Sequence, residues 1–244
     1  MAKKVILVSI DGMRPDGFLQ CGNPFCKTMM TDWAYTLTAK TVYPSVTLPC
    51  HMSMFHSVPP ARHGITPNLS MPPVRPIDGI AEVFKQAKKK NAIFYGWEPL
   101  RDICRPGTMK HAVYHNALAH EDTDRRLTEE AVDYIKKEAP DFVFLYMVET
   151  DEKGGHDAGW MSETYLEYIS RAIDNVKRVI DEVGDEYSVI ITADHGCEPG
   201  FKGTDHTREN VPLLAYYKGC ESFDAGENYG FDCIAEAINK NFKV

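Results

Sequence analysis

Val5-Ile-Leu-Val-Ser-Ile-Asp11-Gly12 is an almost unbroken apolar run closed by a carboxylate and a glycine. A run of that length, ended by a turn residue, predicts a strand covered on both faces rather than an amphipathic edge. The same character recurs at Asp141 to Val148, Tyr187 to Thr192 and Val211 to Tyr217, with a shorter run from Ala92 to Tyr95. Helical patterns separate these runs. Ile77 to Lys90 sets Ile80, Val83, Phe84 and Ala87 on one face and ends in lysines, which suit a helix C-terminus. Thr128 to Glu138 and Ser162 to Val183 behave alike, the latter with Ser162 as N-cap, and Phe231 to Asn241 predicts a terminal amphipathic helix. Strands alternating with helices predict a doubly wound α/β sandwich with a mostly parallel sheet, in which ligands gather beyond the carboxyl ends of the strands. Pro67 to Pro76 and Glu98 to Glu121 are expected to be irregular, and no linker or repeat divides residues 1–244, which predicts a single domain.

The polar residues of interest stand where that fold would place a ligand. Asp11 ends the first strand, and Asp151-Glu-Lys-Gly-Gly-His156 follows the Asp141 to Val148 run. Asp194-His195-Gly196 follows the Tyr187 to Thr192 run, and Gly203-Thr-Asp-His206 comes soon after. Tyr43-Pro-Ser-Val-Thr47-Leu-Pro-Cys-His51 adds a threonine at the head of a helix-like run. Three carboxylates, three histidines and a hydroxyl suit two adjacent divalent metals with a nucleophile between them, the arrangement used for displacement at phosphorus. Thr47 read alone is also a good helix N-cap with Pro49 in the first turn.

Composition narrows the setting. The chain is ordinary in hydrophobic (43%) and charged (25%) content, and its net charge of -8 argues against an extended nucleic-acid surface. An acidic protein that handles an anionic substrate needs local positive charge, which bound metal supplies. Seven scattered cysteines read as reduced thiols of a cytosolic protein, with Cys21 and Cys26 the one pair spaced for a metal. The apolar run after Met1-Ala-Lys-Lys is too short for a signal peptide, and no segment approaches a membrane span. A soluble cytoplasmic protein is expected.

Taken together, the motifs resemble those of the alkaline phosphatase superfamily, from Asp11 to Pro212. Asp11-Gly12, Tyr43 to His51, His63-Gly-Ile65 and Asn68 resemble the nucleotide pyrophosphatase/phosphodiesterase branch. Thr192-Ala-Asp-His-Gly-Cys197, Gly203 to Glu209 and Val211-Pro-Leu-Leu214 are closer to phosphopentomutase. The resemblance implies an alkaline-phosphatase-like fold and Thr47 as nucleophile. It implies one metal on Asp11, Thr47, Asp194 and His195, and a second on Asp151, His156 and His206. Mixed carboxylate and imidazole ligands suit zinc, with manganese also acceptable. His156 stands five residues after Asp151, the longer spacing of the mutase pattern. Asn68 aligns with an asparagine that holds a phosphate oxygen, its bland reading being a turn residue after Pro67. Tyr146 stands where an aromatic stacks on a nucleotide base, or is simply core. Leu48 replaces a second substrate-binding aromatic, which weakens the case for a base. His51 and His63 are read as structural. Trp97, Arg101 and Arg105 are expected near the pocket, and Arg62, Lys153 and Lys202 are further basic residues that could touch substrate.

The expected activity is hydrolysis of a phosphodiester or nucleotide pyrophosphate through a phospho-threonine intermediate, on a small phosphorylated substrate. The alternatives are a phosphomonoesterase, a phosphomutase, or a non-catalytic metal or phosphoester sensor. The interval from Asn68 to Asp151 leaves no room for an inserted cap domain of ~100 residues, which disfavours the mutase.

Overall fold

The computed structural model describes residues 4–69, 71–72, 75–197, 206–207 and 210–216, with 234 and 238. The opening run is strand β1 (Lys4–Ile10), and it lies at the centre of a seven-stranded sheet. Its neighbours are β5 (Phe142–Met147) and β6 (Tyr187–Thr192), both parallel to it. All the side chains of β5 and β6 are buried, as continuous apolar runs require. Beyond β5 come β3 (Asn91–Tyr95) and the short edge strand β4 (His111–Tyr114), both parallel. Beyond β6 lies β9 (Asn210–Tyr216), antiparallel to β6, and then β2 (Ala34–Lys40), antiparallel to β9.

The sheet is mostly parallel, as expected, but β9 corrects the reading of Val211 to Tyr217 as a parallel strand. A parallel return needs a crossover, usually helical. Between β6 and β9 the described residues instead form a small hairpin of β7 (Gly196–Cys197) and β8 (His206–Thr207). β2 and β4 were absent from the apolar runs because both are edge strands whose side chains are only partly buried. The terminal helical pattern falls outside the described residues except for Ile234 and Ile238, which are helical and buried.

Register assigns helices to faces. Leu7 pairs with Phe144 and Ser9 with Tyr146, so these four share one face. Helix α3 (Thr47–His56) covers it, with Phe55 at 4.8 Å from Phe144 and His51 edge-on to Tyr146 at 5.1 Å. Helix α5 (Ile80–Gln86) joins this layer through Phe84 against Phe142. Phe94 pairs with Leu145 and so faces the other way, where Tyr134 of α6 (Thr123–Glu138) meets it. α7 (Glu163–Val183) packs beside α6, burying Tyr165, Ile169, Ala172, Ile173, Val176 and Val179 at helical spacing. Ser162 caps α7 by accepting the Tyr165 N–H, as the sequence predicts. α1 (Pro15–Gln20), α2 (Pro24–Asp32) and the single turn α4 (Pro60–His63) are further helices, and Glu98–Asp102 forms a short 3-10 turn. Truncating Phe144 to alanine would open a cavity beneath both Phe55 and His51, at about 3–5 kcal/mol. Among the described residues no helix is long and apolar enough to cross a membrane.

Candidate active site

Because β5, β1 and β6 are adjacent and parallel, their carboxyl ends open on one edge of the sheet, and each delivers a carboxylate there. Asp11 leaves β1 with its backbone N–H donating to the Met147 carbonyl at 2.9 Å. The chain then turns at Gly12, whose φ of +62° suits glycine. The Gly12 N–H donates to Asp194 Oδ1 at 3.1 Å, tying the end of β1 to the loop after β6. Tyr165 of α7 fixes the turn from the other side: its hydroxyl donates to the Gly12 carbonyl at 2.7 Å and accepts the Arg14 N–H at 3.0 Å.

Asp151 and His156 lie in a π-helix, Thr150–Ala158, and their side chains meet at 3.1 Å. In a π-helix the repeat of hydrogen bonding is five residues, so a five-residue spacing returns to the same face, as it would not in an α-helix. The longer Asp-to-His interval is thus accommodated by local winding. Gly155 permits that winding against the buried Trp160, since a Cβ there would lie 2.1 Å from the indole ring. Upstream, buried Asp124 accepts the N–H groups of Val148 and Glu149 at 2.9 and 3.0 Å, anchoring the segment that leads into the π-helix. That tertiary contact also explains why α6 begins at Thr123, a turn before its apolar periodicity does.

His195 is the hub of the cluster. Its Nε2 lies 3.1 Å from Asp11 Oδ1, 3.4 Å from Asp194 Oδ2, 3.9 Å from Asp151 Oδ1 and 3.3 Å from Thr47 Oγ. Its Nδ1 sits 3.3 Å from the Gly196 carbonyl, an acceptor, so Nδ1 can carry a proton while Nε2 meets the carboxylates, either as a donor to Asp11 or, with a cation among them, as a ligand. Asp11, Asp194 and His195 alone bring three ligand atoms within 4.8 Å of one another, all buried.

The electrostatics are those of crowded, buried acids. Burial, followed by the charge of Asp11, pushes Asp194 well above the usual carboxylate range and raises Asp151 as well. Burial acts the same way on Asp11, but its contacts with His195 outweigh it and hold Asp11 well below that range. Asp11 Oδ1 and Asp194 Oδ2 are buried acceptors that receive no hydrogen bond. Buried acceptors left in that condition are costly, and a divalent cation satisfies several at once. The donor set of carboxylates, imidazole and hydroxyl therefore fits a metal.

Thr47 is the first residue of α3, the N-cap being Val46, which makes no side-chain cap. The Thr47 hydroxyl is directed at His195 and not at its own helix backbone, so the capping alternative is excluded. His51, one turn on, is fully buried: its Nδ1 donates to the Thr47 carbonyl at 2.8 Å and its Nε2 accepts from Ser9 Oγ at 2.9 Å. His63 bridges Ser53 and the Ile65 N–H. Both histidines position α3, as the sequence reading held. Asn68 is exposed, and its Oδ1 accepts the Leu48 N–H at 2.9 Å, satisfying one of the open donors at the head of α3.

Tyr146 requires a correction. It is completely buried, and its hydroxyl donates to Asp11 Oδ2, so no ring face is available to stack on a base. Its place is behind a candidate metal ligand. The strand alternation that puts Ser9 and Tyr146 on one face is visible in sequence, but the pairing that brings Tyr146 to Asp11 is not. Leu48 is buried too, in the wall of a cleft beside α3 that residues 102–106 also line. Of the expected basic contacts, Arg101 pairs with Glu98 and Asp102, Lys153 with Glu149, and Arg62 donates to the Arg75 carbonyl. The backbone of His206 pairs with Cys197 in the hairpin, while its side chain, like Lys202, lies outside the described residues. Cys21 and Cys26 bring their sulfurs to 3.7 Å without a third ligand, so among the described residues they form no metal site.

A sheet that gathers carboxylates and imidazole at its carboxyl edge has the layout of a candidate metal centre on an α/β fold. A model of the metalloenzyme superfamily matches residues 89–244, and the chain belongs to that alkaline-phosphatase-like superfamily. Phosphopentomutase of Shewanella woodyi is 37% identical over 105 residues, 42% of this chain and 25% of that protein. Phosphopentomutase of Clostridium novyi is 33% identical over 117 residues, 48% of this chain and 30% of that protein. The chain thus spans less than a third of the length of these relatives. Among solved structures, murine ectonucleotide pyrophosphatase/phosphodiesterase 5 superposes with a TM-score of 0.66 at 20% identity, covering 80% of this chain and 57% of that one. The phosphonate monoester hydrolase of Agrobacterium radiobacter gives 0.72 at 12% identity, covering 99% of this chain and 74% of that one. These likenesses establish the fold.

Proposed function

We propose that the chain is a metal-dependent phosphodiesterase or nucleotide pyrophosphatase that works through a phospho-threonine intermediate. The observation that carries the reading is the Thr47 hydroxyl, free of capping duty at the head of α3 and 3.3 Å from His195 Nε2 amid three buried carboxylates. Asp11, Thr47, Asp194 and His195 would hold one divalent ion, zinc or manganese, and Asp151, His156 and His206 a second. Divalent ions bound there would supply Lewis acidity, lowering the pKa of a hydroxyl and offsetting charge on phosphoryl oxygens.

Thr47 Oγ attacks phosphorus in line, forming the Oγ–P bond as the bond to the leaving alcohol or phosphate breaks. The N-terminal end of α3 faces the phosphoryl group with its partial positive charge. Asn68 spends its Oδ1 on Leu48, which turns its amide nitrogen into a neutral donor for a non-bridging oxygen. Water then cleaves the Oγ–P bond and restores Thr47. The molecule acted on is a small phosphorylated compound.

Thr47→Ala should abolish turnover of p-nitrophenyl esters while leaving metal binding and thermal stability near wild type. Turnover with unaltered kinetics would instead point to direct attack by water. A second reading, isomerisation by phosphoryl transfer, is favoured by the phosphopentomutase similarity over 105 residues. Against it, β3, β4, α5 and α6 belong to the sheet and its layers and occupy the interval where a cap would be inserted. Pentose 1-phosphate converted to the 5-phosphate without release of inorganic phosphate would establish that reading.

A further inference from the structure

Helix α3 carries Leu48, Met52 and His56 four residues apart, and these form one stripe along the helix. Opposite them stand Ile65, Ile77 and Ile103, and together they bound a cleft of about 410 Å³. That volume, with mostly apolar walls, is that of a small-ligand site. One end of the cleft is walled by Leu48, the residue next to the candidate nucleophile, whose N–H is held by Asn68. Met71, also in its wall, and Leu69 beside Asn68 are 45% and 62% exposed, so the rim is apolar as well.

The polar groups at the border are already engaged. Arg105 is paired with Asp78 and Glu82, Asp102 with Arg101 at 3.0 Å, and His56 Nδ1 donates to the Met52 carbonyl at 2.9 Å. A second phosphate, a sugar or a base edge entering here would lose its water and find no committed replacement. An uncharged hydrocarbon group loses nothing.

We propose that this cleft is a subsite for an uncharged apolar substituent, aryl or alkyl, esterified to the phosphoryl group that Thr47 receives. The proposal rests on the Thr47 reading and narrows its substrate class to diesters with one hydrophobic arm. Three metal-loaded assays share one leaving group: p-nitrophenyl methyl, butyl and phenyl phosphate. Each added methylene should raise kcat/KM roughly threefold, so butyl should exceed methyl by more than tenfold, with phenyl similar to butyl. Met71→Glu, at a half-exposed position that tolerates a charge without unfolding, should bring the butyl-to-methyl ratio towards one. A second, non-catalytic arm measures binding of phenylphosphonate and methylphosphonate to Thr47→Ala protein by calorimetry, where phenyl should win by at least tenfold.

The outcomes separate the two readings. Equal turnover of all three esters, or a ratio that Met71→Glu leaves unchanged, overturns the subsite and leaves the phosphodiesterase intact. No turnover of any ester, with the phenyl binding preference retained and removed by Met71→Glu in the Thr47→Ala background, supports the subsite and sinks the catalytic reading. Neither turnover nor a phenyl preference refutes both.

Discussion

Tyr146→Phe separates a residue that supports a metal ligand from one that meets substrate. The hydroxyl is completely buried, and burial followed by the charge of Asp11 pushes its pKa well above the usual tyrosine range. It therefore remains a donor to Asp11 Oδ2 at any working pH. The substitution deletes a hydrogen bond to a charged acceptor and strands a second oxygen of a carboxylate whose Oδ1 already lacks one. A bond of that kind contributes about 1.5–3 kcal/mol. For a protein of this size each kcal/mol corresponds to roughly 2–4 °C, so Tm without added metal should fall by about 3–12 °C. Loss of the group that orients a ligating carboxylate typically costs about 10–100-fold in metal affinity. The assay is a thermal melt paired with a competition titration of manganese against a chromophoric chelator. Phenylalanine preserves an aromatic face, so a base-stacking tyrosine would show a near-normal Tm and metal affinity. That pair of results would refute the assignment of Tyr146 to Asp11.

Gly12→Ala places a residue at φ +62° and a Cβ 2.8 Å from Asp151 Oδ1, so it should lose about 1–2 kcal/mol of stability and weaken metal binding, both read by melts with and without manganese. Retained metal affinity would mean that Asp151 moves aside freely. Calorimetric titration should find two divalent ions per chain, and His156→Ala should lower that to one while sparing the site around Asp11 and His195. His63 is held down to about 4 from 6.5, by burial and then by the neighbouring charge of His56. The unfolded chain therefore takes up the proton first, and stability present above pH 6.5 is lost as pH falls towards 4, by up to roughly 3 kcal/mol. His63→Gln should flatten urea-denaturation stability across that window, and an unchanged slope would assign the loss to other groups.

The sequence by itself determined the sheet's centre and the order of the site. Runs buried on both faces can be read from composition alone, so β1, β5 and β6 were legible, as were the carboxylates and histidines that follow them. The amphipathic α7 and its Ser162 cap were legible for the same local reason. Edge strands β2 and β4 were not, because partial burial leaves little apolar pattern, and the direction of β9 depended on a hairpin rather than a crossover. Tertiary structure alone decided which partner each polar group found. Tyr146 is an ordinary strand residue until the register of β1 and β5 brings its hydroxyl to Asp11. The five-residue Asp151 to His156 interval is ambiguous until a π-helix, wound against Trp160, turns both side chains to one face. Thr47 is equally a cap or a nucleophile until His195, far along the chain, arrives beside its hydroxyl. Local pattern records which faces are dry, whereas hydrogen-bond partners across the sheet depend on distances that no local window contains.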